Sequence, residues 1–253
     1  MSDRMTRRAV LASAGTLSLG GCLEEVGTAS APAGGLPDWT QAVSFTAAVV
    51  RSFADEHPAS LRLVLANEGE EPLVVRSNWS DGQGGPFNAV WGMRREGDDE
   101  VGLFRRDGYA ALCVPGDGNP IPDTPVDGCW KPPCEEIDLP SSHGQFELPP
   151  EEPNTDEYAV LDGLDGSCLR PGTYVFDENR AGVSARVARG SVDGASVTTG
   201  SGWYPLDRHL TLSIDERGGV TASAEAVVDP PETPEDGGGS TPKPTPNPAG
   251  DVD

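Results

Sequence analysis

The region from about residue 42 to residue 228 consists of short apolar segments, separated by turns rich in Gly, Pro, Asn and Asp. Apolar residues occupy every second position in Val43–Val49 and in Leu61–Leu65, the period of a strand with one buried face. The run Ala47–Ala54 could also form a helix, but its β-branched and aromatic residues favour a strand. The pattern predicts an all-β, antiparallel sandwich. Further strand candidates are Leu73–Val75, Val101–Phe104, Tyr109–Val114, Gln145–Leu148, Tyr158–Leu161, Thr173–Phe176, Val183–Val187, His209–Ile214 and Val220–Val228.

Two segments resemble immunoglobulin-like extracellular modules. Pro58–Val75 looks like the second and third strands of such modules, and Leu169–Phe176 resembles a Pro-Gly-x-Tyr strand start that occurs late in them. Similar pairs occur in haloarchaeal lipoproteins of unassigned role and in BsuPI-type proteinase inhibitors. The resemblance implies an immunoglobulin-like sandwich with Tyr174 packed inward. It implies no particular function, because one fold hosts many functions.

The first 22 residues carry an arginine pair, Arg7-Arg8, then a mildly apolar run that ends at Leu19-Gly20-Gly21-Cys22. The run is shorter than the ~20 apolar residues that span a bilayer. The segment resembles a twin-arginine signal peptide with the lipobox of bacterial and archaeal lipoproteins. That resemblance implies export of the folded protein, removal of residues 1–21 and attachment of a lipid to the Cys22 sulfur. The alternative is a buried helix that begins a cytoplasmic domain.

Two segments flank the predicted domain. Residues 22–41 are rich in Gly, Ala and Pro without periodicity, which predicts a flexible tether. Residues 229–253 are rich in Pro, Thr, Gly and acidic residues, a composition that buries too little apolar surface to offset the entropy of ordering. We therefore expect a disordered tail.

The charge balance is strongly acidic, with 41 Asp and Glu against 18 Lys and Arg, a formal net charge of -23. Lys131 and Lys243 are the only lysines. An acidic chain with so little lysine resembles haloarchaeal proteins, in which molar salt screens the self-repulsion. The alternative is an acidic, partly disordered protein. Either charge pattern repels phosphates, so nucleic-acid binding is excluded as a function.

With Cys22 assigned to lipid, four cysteines remain in an exported domain. An even number there predicts two disulfides, with three possible connectivities. We predict Cys129–Cys168, which would tie a Pro-rich loop to the strand that follows, and Cys113–Cys134, which would close the loop on itself. The alternative is a metal site that uses these thiols and His143, but the spacing of Cys129 and Cys134 is longer than in common zinc ribbons.

Catalytic motifs of the common hydrolase, metalloprotease and nucleotide-binding types are absent from the sequence, so no enzyme, cofactor or metal is predicted. The most suggestive loop runs from Asn78 to Trp91 and places glycines between two tryptophans. Trp79 lies among polar residues, and it is the candidate binding residue. Trp91 follows an apolar pair and is expected to pack inward. Asn78-Trp79-Ser80 is also a glycosylation sequon.

Together these patterns predict a lipid-anchored, non-catalytic binding or structural module of a halophile. It would lie on the outer face of the cytoplasmic membrane and contact an envelope protein or a glycan. The alternatives are a module similar to proteinase inhibitors, or a metal-binding protein or enzyme that uses the cysteine cluster.

Overall fold

The structure is a computed structural model, and it describes residues 36–80, 85–87, 91–106, 112–114, 118–138, 142–164, 168–178, 184–193, 196–200 and 202–231. The predicted all-β antiparallel sandwich is confirmed. Within these residues one 3-10 helix, Asp38–Ala42, precedes fourteen strands. The strands are β1 Val43–Arg51, β2 Ala59–Asn67, β3 Leu73–Ser80, β4 Trp91–Arg94, β5 Glu100–Arg105, β6 Leu112–Val114, β7 Glu136–Asp138, β8 Ser142–Leu148, β9 Asn154–Asp162, β10 Gly172–Asp177, β11 Ala185–Asp193, β12 Ser196–Thr199, β13 Tyr204–Ile214 and β14 Val220–Val228.

Twelve strands form one sheet in the pairing order β1-β2-β9-β5-β4-β10-β13-β11-β3-β8. Strand β12 pairs with β11, β14 pairs with β13, and β6 with β7 forms a separate two-stranded sheet. The large sheet folds back on itself: β1, the first strand in this order, lies beside β14, which pairs with β13 in the second half of the order. The side chains that point into this fold form the main core, which includes Phe45, Leu63, Tyr174 and Phe176. Tyr174 therefore packs inward, as predicted, and its hydroxyl donates to the Arg170 carbonyl at 2.8 Å.

Residues 158–162 of strand β9 are buried on both faces of the sheet, which divides the apolar interior into two clusters. Tyr158 and Val160 contribute to the main core. Ala159 and Leu161 point to the opposite side, where they form a second cluster with Phe104 and Trp130. A sheet face that carries apolar residues requires a cover, and the cysteine-rich segment provides it here.

The folded domain begins before the predicted boundary at residue 42. Leu36 to Gln41, which the sequence assigned to the tether, includes most of the 3-10 helix. The Trp39 ring packs edge-on against Tyr204 with ring centroids 5.3 Å apart, and Thr40 is buried. Burial of this aromatic ring orders a segment whose composition alone predicts a tether.

Three strands were not predicted from the sequence: β4, β7 and β12. Each has only three or four residues, which is too short to show an alternating pattern. Residues 1–35 and 232–253, which include the predicted signal peptide and tail, lie outside the described residues. In the described part of the chain, a helix long and apolar enough to cross a bilayer is not found.

Candidate functional site

The loop predicted from Asn78 to Trp91 is shorter in the structure, because its first three residues belong to strand β3. Asn78, Trp79 and Ser80 continue strand β3, because its pairing with β8 extends to Ser80, which lies opposite Ser142. Their side chains lie outside the described residues. The described middle of the segment, residues 85–87, is anchored in the domain: the Phe87 ring is 2% exposed and stacks on Phe45 with centroids 5.3 Å apart.

A buried ion pair forms the anchor of this segment. The guanidinium of Arg208 is fully buried, and its Nε and Nη2 donate to the two carboxylate oxygens of Glu178 at 2.7 and 2.8 Å. The remaining nitrogen, Nη1, donates to the Pro86 carbonyl at 2.7 Å. All three nitrogens of Arg208 thus have partners inside the protein. Such bidentate, charge-assisted hydrogen bonds are stronger than neutral ones, and they also fix the relative orientation of the two side chains.

Tyr158 supplies a second hydrogen bond to the same segment. Its hydroxyl donates to the Phe87 carbonyl at 2.9 Å. Burial, and then the nearby Asp156 carboxylate, raise the pKa of the Tyr158 phenol well above its ordinary value, so the hydroxyl keeps its proton and remains a donor. At Gly85, a Cβ atom would lie 3.1 Å from the Tyr158 hydroxyl, so glycine allows the close approach.

Sequence reasoning missed this anchor, although a signal for it exists in β13. Leu206, Leu210, Leu212 and Ile214 occupy alternating buried positions, and Arg208 has the same parity. An arginine in a row of inward residues predicts a buried, paired charge, since charged side chains are rarely buried without a partner. Its partner Glu178 lies 30 residues earlier in the chain, so the sequence does not identify it.

The structure joins Cys113 to Cys134 and Cys129 to Cys168, the two pairs predicted from the sequence. Their Cα atoms lie 5.3 and 5.1 Å apart, within the range of protein disulfides. The described residues 112–114 and 118–138, here called the flap, are thereby closed on themselves and tied to the start of the β10 region.

The flap covers the second apolar cluster. Trp130, 6% exposed, packs with Phe104 and Leu161, and its Nε1 donates to the Ala54 carbonyl at 2.8 Å. A tight turn at Asp127-Gly128, both with positive φ, precedes it. This Asp-Gly pair suits a turn that reverses two extended segments. The turn places Cys129 for its disulfide and Trp130 for the cluster.

These disulfides remove the ligands that the metal alternative requires. A metal site of that kind needs thiolates, but the four sulfurs are joined in two disulfides. The His143 side chain lies outside the described residues. Among the described residues, no group of three or more His, Cys, Asp or Glu side chains converges in a way that could hold an ion.

The two tryptophans of the 78–91 segment give a direct test of their predicted roles. Trp91 is half-buried and packs edge-on against Phe104, with centroids 5.5 Å apart. Trp91→Ala should therefore lower the free energy of unfolding by about 2–3 kcal/mol, somewhat less than a fully buried truncation. Trp79→Ala should leave the melting temperature nearly unchanged if this side chain is reserved for binding. Thermal melts of both variants measure this, and a larger loss for Trp79→Ala would contradict its assignment as a binding residue.

Comparison of the chain with family models, curated proteins and solved structures finds no match. Cys22, Arg7 and Arg8, which the sequence assigns to lipidation and export, lie outside the described residues. Asn78, the predicted glycosylation site, lies in β3, and its side chain is not described. The structure thus brings together the four cysteines, and it adds Arg208, Glu178 and Tyr158 as the anchor of the candidate binding segment.

Proposed function

We propose that this chain is a lipid-anchored, non-catalytic module of the surface of a salt-adapted cell. Cys22 holds it to the membrane, and the domain contacts an envelope protein or a glycan. The observation that supports this proposal is that the domain has two distinct ends, one where the N-terminal segment joins it and one that carries the flap.

The first end collects both termini of the described domain. The 3-10 helix places Trp39 against Tyr204, at the start of β13. At the neighbouring residue, the Pro205 carbonyl accepts a hydrogen bond from the Asp229 amide at 3.1 Å, directly after β14. A tether that begins at Cys22 would therefore reach the domain at the end where the C-terminal segment also leaves.

The flap lies at the opposite end of β1. Phe53, just beyond β1, donates its amide to the Gly218 carbonyl in the turn between β13 and β14. The adjacent Ala54 carbonyl accepts the hydrogen bond from Trp130 of the flap. Strand β1 has nine residues, which separates the two ends by about 27 Å. A lipid on Cys22 would thus attach the domain at the end opposite the disulfide-bonded flap.

Fractionation of native cells tests the anchor. Cys22→Ser should move the protein from the membrane fraction to the soluble fraction, because the sulfur that would carry the lipid is gone. Arg7→Lys with Arg8→Lys should keep the full-length precursor inside the cell. Arg4→Lys is the matched control, since it makes the same change outside the arginine pair and should leave export normal. A Cys22→Ser protein that stays in the membrane fraction at high salt would refute the proposed anchoring.

A further inference from the structure

The outward side of β1 and β14 is nearly free of charge, in a chain with 41 acidic residues. Strand β1 points Ala47 and Val49 toward the core, and β14 does the same with its alanines. The opposite side chains form what we call the outer face. It comprises the exposed residues Thr46, Ala48, Val50, Thr221, Ser223, Glu225 and Val227, together with Arg62 and Val64 of the adjoining β2. Val50 and Val227 are 43% and 41% exposed.

The two charges of the outer face have opposite signs and lie on opposite sides of β1. Arg62 pairs with Ala48 across the β1–β2 ladder. On the other side, the Val220 amide donates to Ser52 Oγ at 3.3 Å, which fixes how β14 lies along β1. Counting five residues from this contact places Glu225 at the level of Ala47, one residue from Ala48. Arg62 and Glu225 are thus related, to within one residue along the strand, by a reflection across the line of β1.

We propose that the outer face binds the outer face of a second copy of this chain, about a two-fold axis that runs along β1. This axis places Arg62 of each copy opposite Glu225 of the other, so that two charged pairs form. Val50 meets its own counterpart on the axis. Val227 faces Val64, because Val64 pairs with Thr46 and the same count from the Ser52 contact places Val227 at the level of the neighbouring Phe45, on the other side of β1. The self-complementary pattern is what an isologous interface requires.

Electrostatics favour this face over the other surfaces of the protein. Two copies that each carry a net charge of -23 repel each other at most orientations. Molar salt reduces this repulsion to short range, with a Debye length of about 3 Å. Contact through a face with one acid and one arginine then avoids like-charge pairs. In other orientations like charges would meet, and this disfavours them.

The axis direction also agrees with the proposed anchoring, on which this one point rests. Strand β1 runs from the end where the tether joins toward the flap. A two-fold axis along β1 therefore leaves the tether ends of both copies on the same side. Both Cys22 lipids could then insert into one membrane. An axis perpendicular to β1 would direct the two tethers in opposite directions.

The interface is small. The three strands of the outer face, spaced by about 4.8 Å and each about 27 Å long, present roughly 400 Å² in one copy. This is below the about 800 Å² per partner of standard stable interfaces. We therefore expect a reversible dimer with a micromolar dissociation constant, which attachment to one membrane would strengthen by raising the local concentration.

Sedimentation equilibrium of the full chain carrying Cys22→Ser, in molar salt, tests the proposal without any role for the lipid. A species of twice the 26.4 kDa chain mass should appear as the concentration rises toward about 100 μM. Arg62→Glu or Glu225→Arg should each weaken dimerisation by about tenfold or more, because each creates two like-charge pairs. The double variant Arg62→Glu with Glu225→Arg restores opposite charges and should recover the parent dissociation constant within about threefold.

Matched controls separate this interface from a general effect of charge. Glu216→Arg and Arg217→Glu make the same changes at exposed positions in the β13–β14 turn and should leave dimerisation unchanged. Circular dichroism verifies that every variant is folded. A parent chain that stays monomeric at 100 μM overturns the proposal, as does a double variant that remains as weak as the single ones. Failure of the lipid anchor would appear only in the fractionation experiment, so the two proposals can fail separately.

Discussion

Replacing Arg208 with methionine should lower the free energy of unfolding by about 3–5 kcal/mol, the usual loss when one partner of a buried ion pair is removed. The expected size follows from complete burial: Arg208 is 0% exposed and Glu178 is 2% exposed. Without the guanidinium, the Glu178 carboxylate loses two hydrogen-bond donors and the Pro86 carbonyl loses one, away from water. For a domain of this size the melting temperature should fall by about 10 °C or more. Thermal unfolding in molar salt measures the loss.

Two further variants distinguish a buried charge from a simple loss of packing. Arg208→Met with Glu178→Met removes both charges and should recover most of the lost stability, because apolar replacements of a buried pair are often neutral. Arg105→Met breaks the pair with Asp156, whose side chains retain 11% and 12% exposure, so solvent should reduce its effect. A double variant as unstable as Arg208→Met alone would contradict the explanation.

The Arg208 variant should also release the segment between β3 and β4. Its described middle is held by hydrogen bonds from Arg208 and Tyr158 and by the buried Phe87 ring. Removal of one of these contacts favours local opening, which limited proteolysis detects as faster cleavage between residues 78 and 91. Binding through Trp79 would then weaken as well, if this residue contacts a partner.

Much of the fold follows from alternation in the sequence. Strands β1, β2, β13 and β14 are long, each with one side facing the core, so the two-residue period is visible over nine or more residues. The short strands β4 and β7 cannot show that period. Strand β9 illustrates a different limit: residues 158–162 are buried on both sides, and a continuous apolar run does not reveal what covers each face.

The candidate site was less predictable, because it depends on contacts between distant residues. The ion pair joins β13 to Glu178, and the guanidinium also reaches Pro86, 122 residues earlier in the chain. Sequence parity marks Arg208 as inward, but it does not identify these partners. The cysteine pairing was easier to predict, because only four cysteines remained and three of them lie within one Pro-rich segment. The disulfide pairing was therefore predictable where the partner of Arg208 was not, because each cysteine had few possible partners.

Removal of the Cys129–Cys168 disulfide should destabilise the protein more than removal of Cys113–Cys134. The chain-entropy model relates the stabilisation to the length of chain between the cysteines, here 39 and 21 residues. It gives about 4 kcal/mol for the longer loop and about 3 kcal/mol for the shorter one. The longer link also holds the flap to the rest of the domain, whereas the shorter one closes the flap on itself. Paired Cys→Ser variants, compared by thermal melts under oxidising conditions, measure both losses.

Removal of the two disulfides should differ more in which apolar surface becomes exposed than in how much stability is lost. Without Cys129–Cys168, the contacts among the described residues that hold this part of the flap on the sheet are the packing of the Trp130 side chain, its hydrogen bond to the Ala54 carbonyl and the hydrogen bond from the Asp162 amide to the Trp130 carbonyl. We expect the second apolar cluster to become accessible, so the variant should bind a hydrophobic dye and be cleaved within residues 118–138. The main core contains none of the four cysteines, and its β-sheet circular dichroism signal should persist. If loss of this disulfide instead unfolds the whole domain at room temperature, then the flap is part of the folding core and not a cover placed upon it.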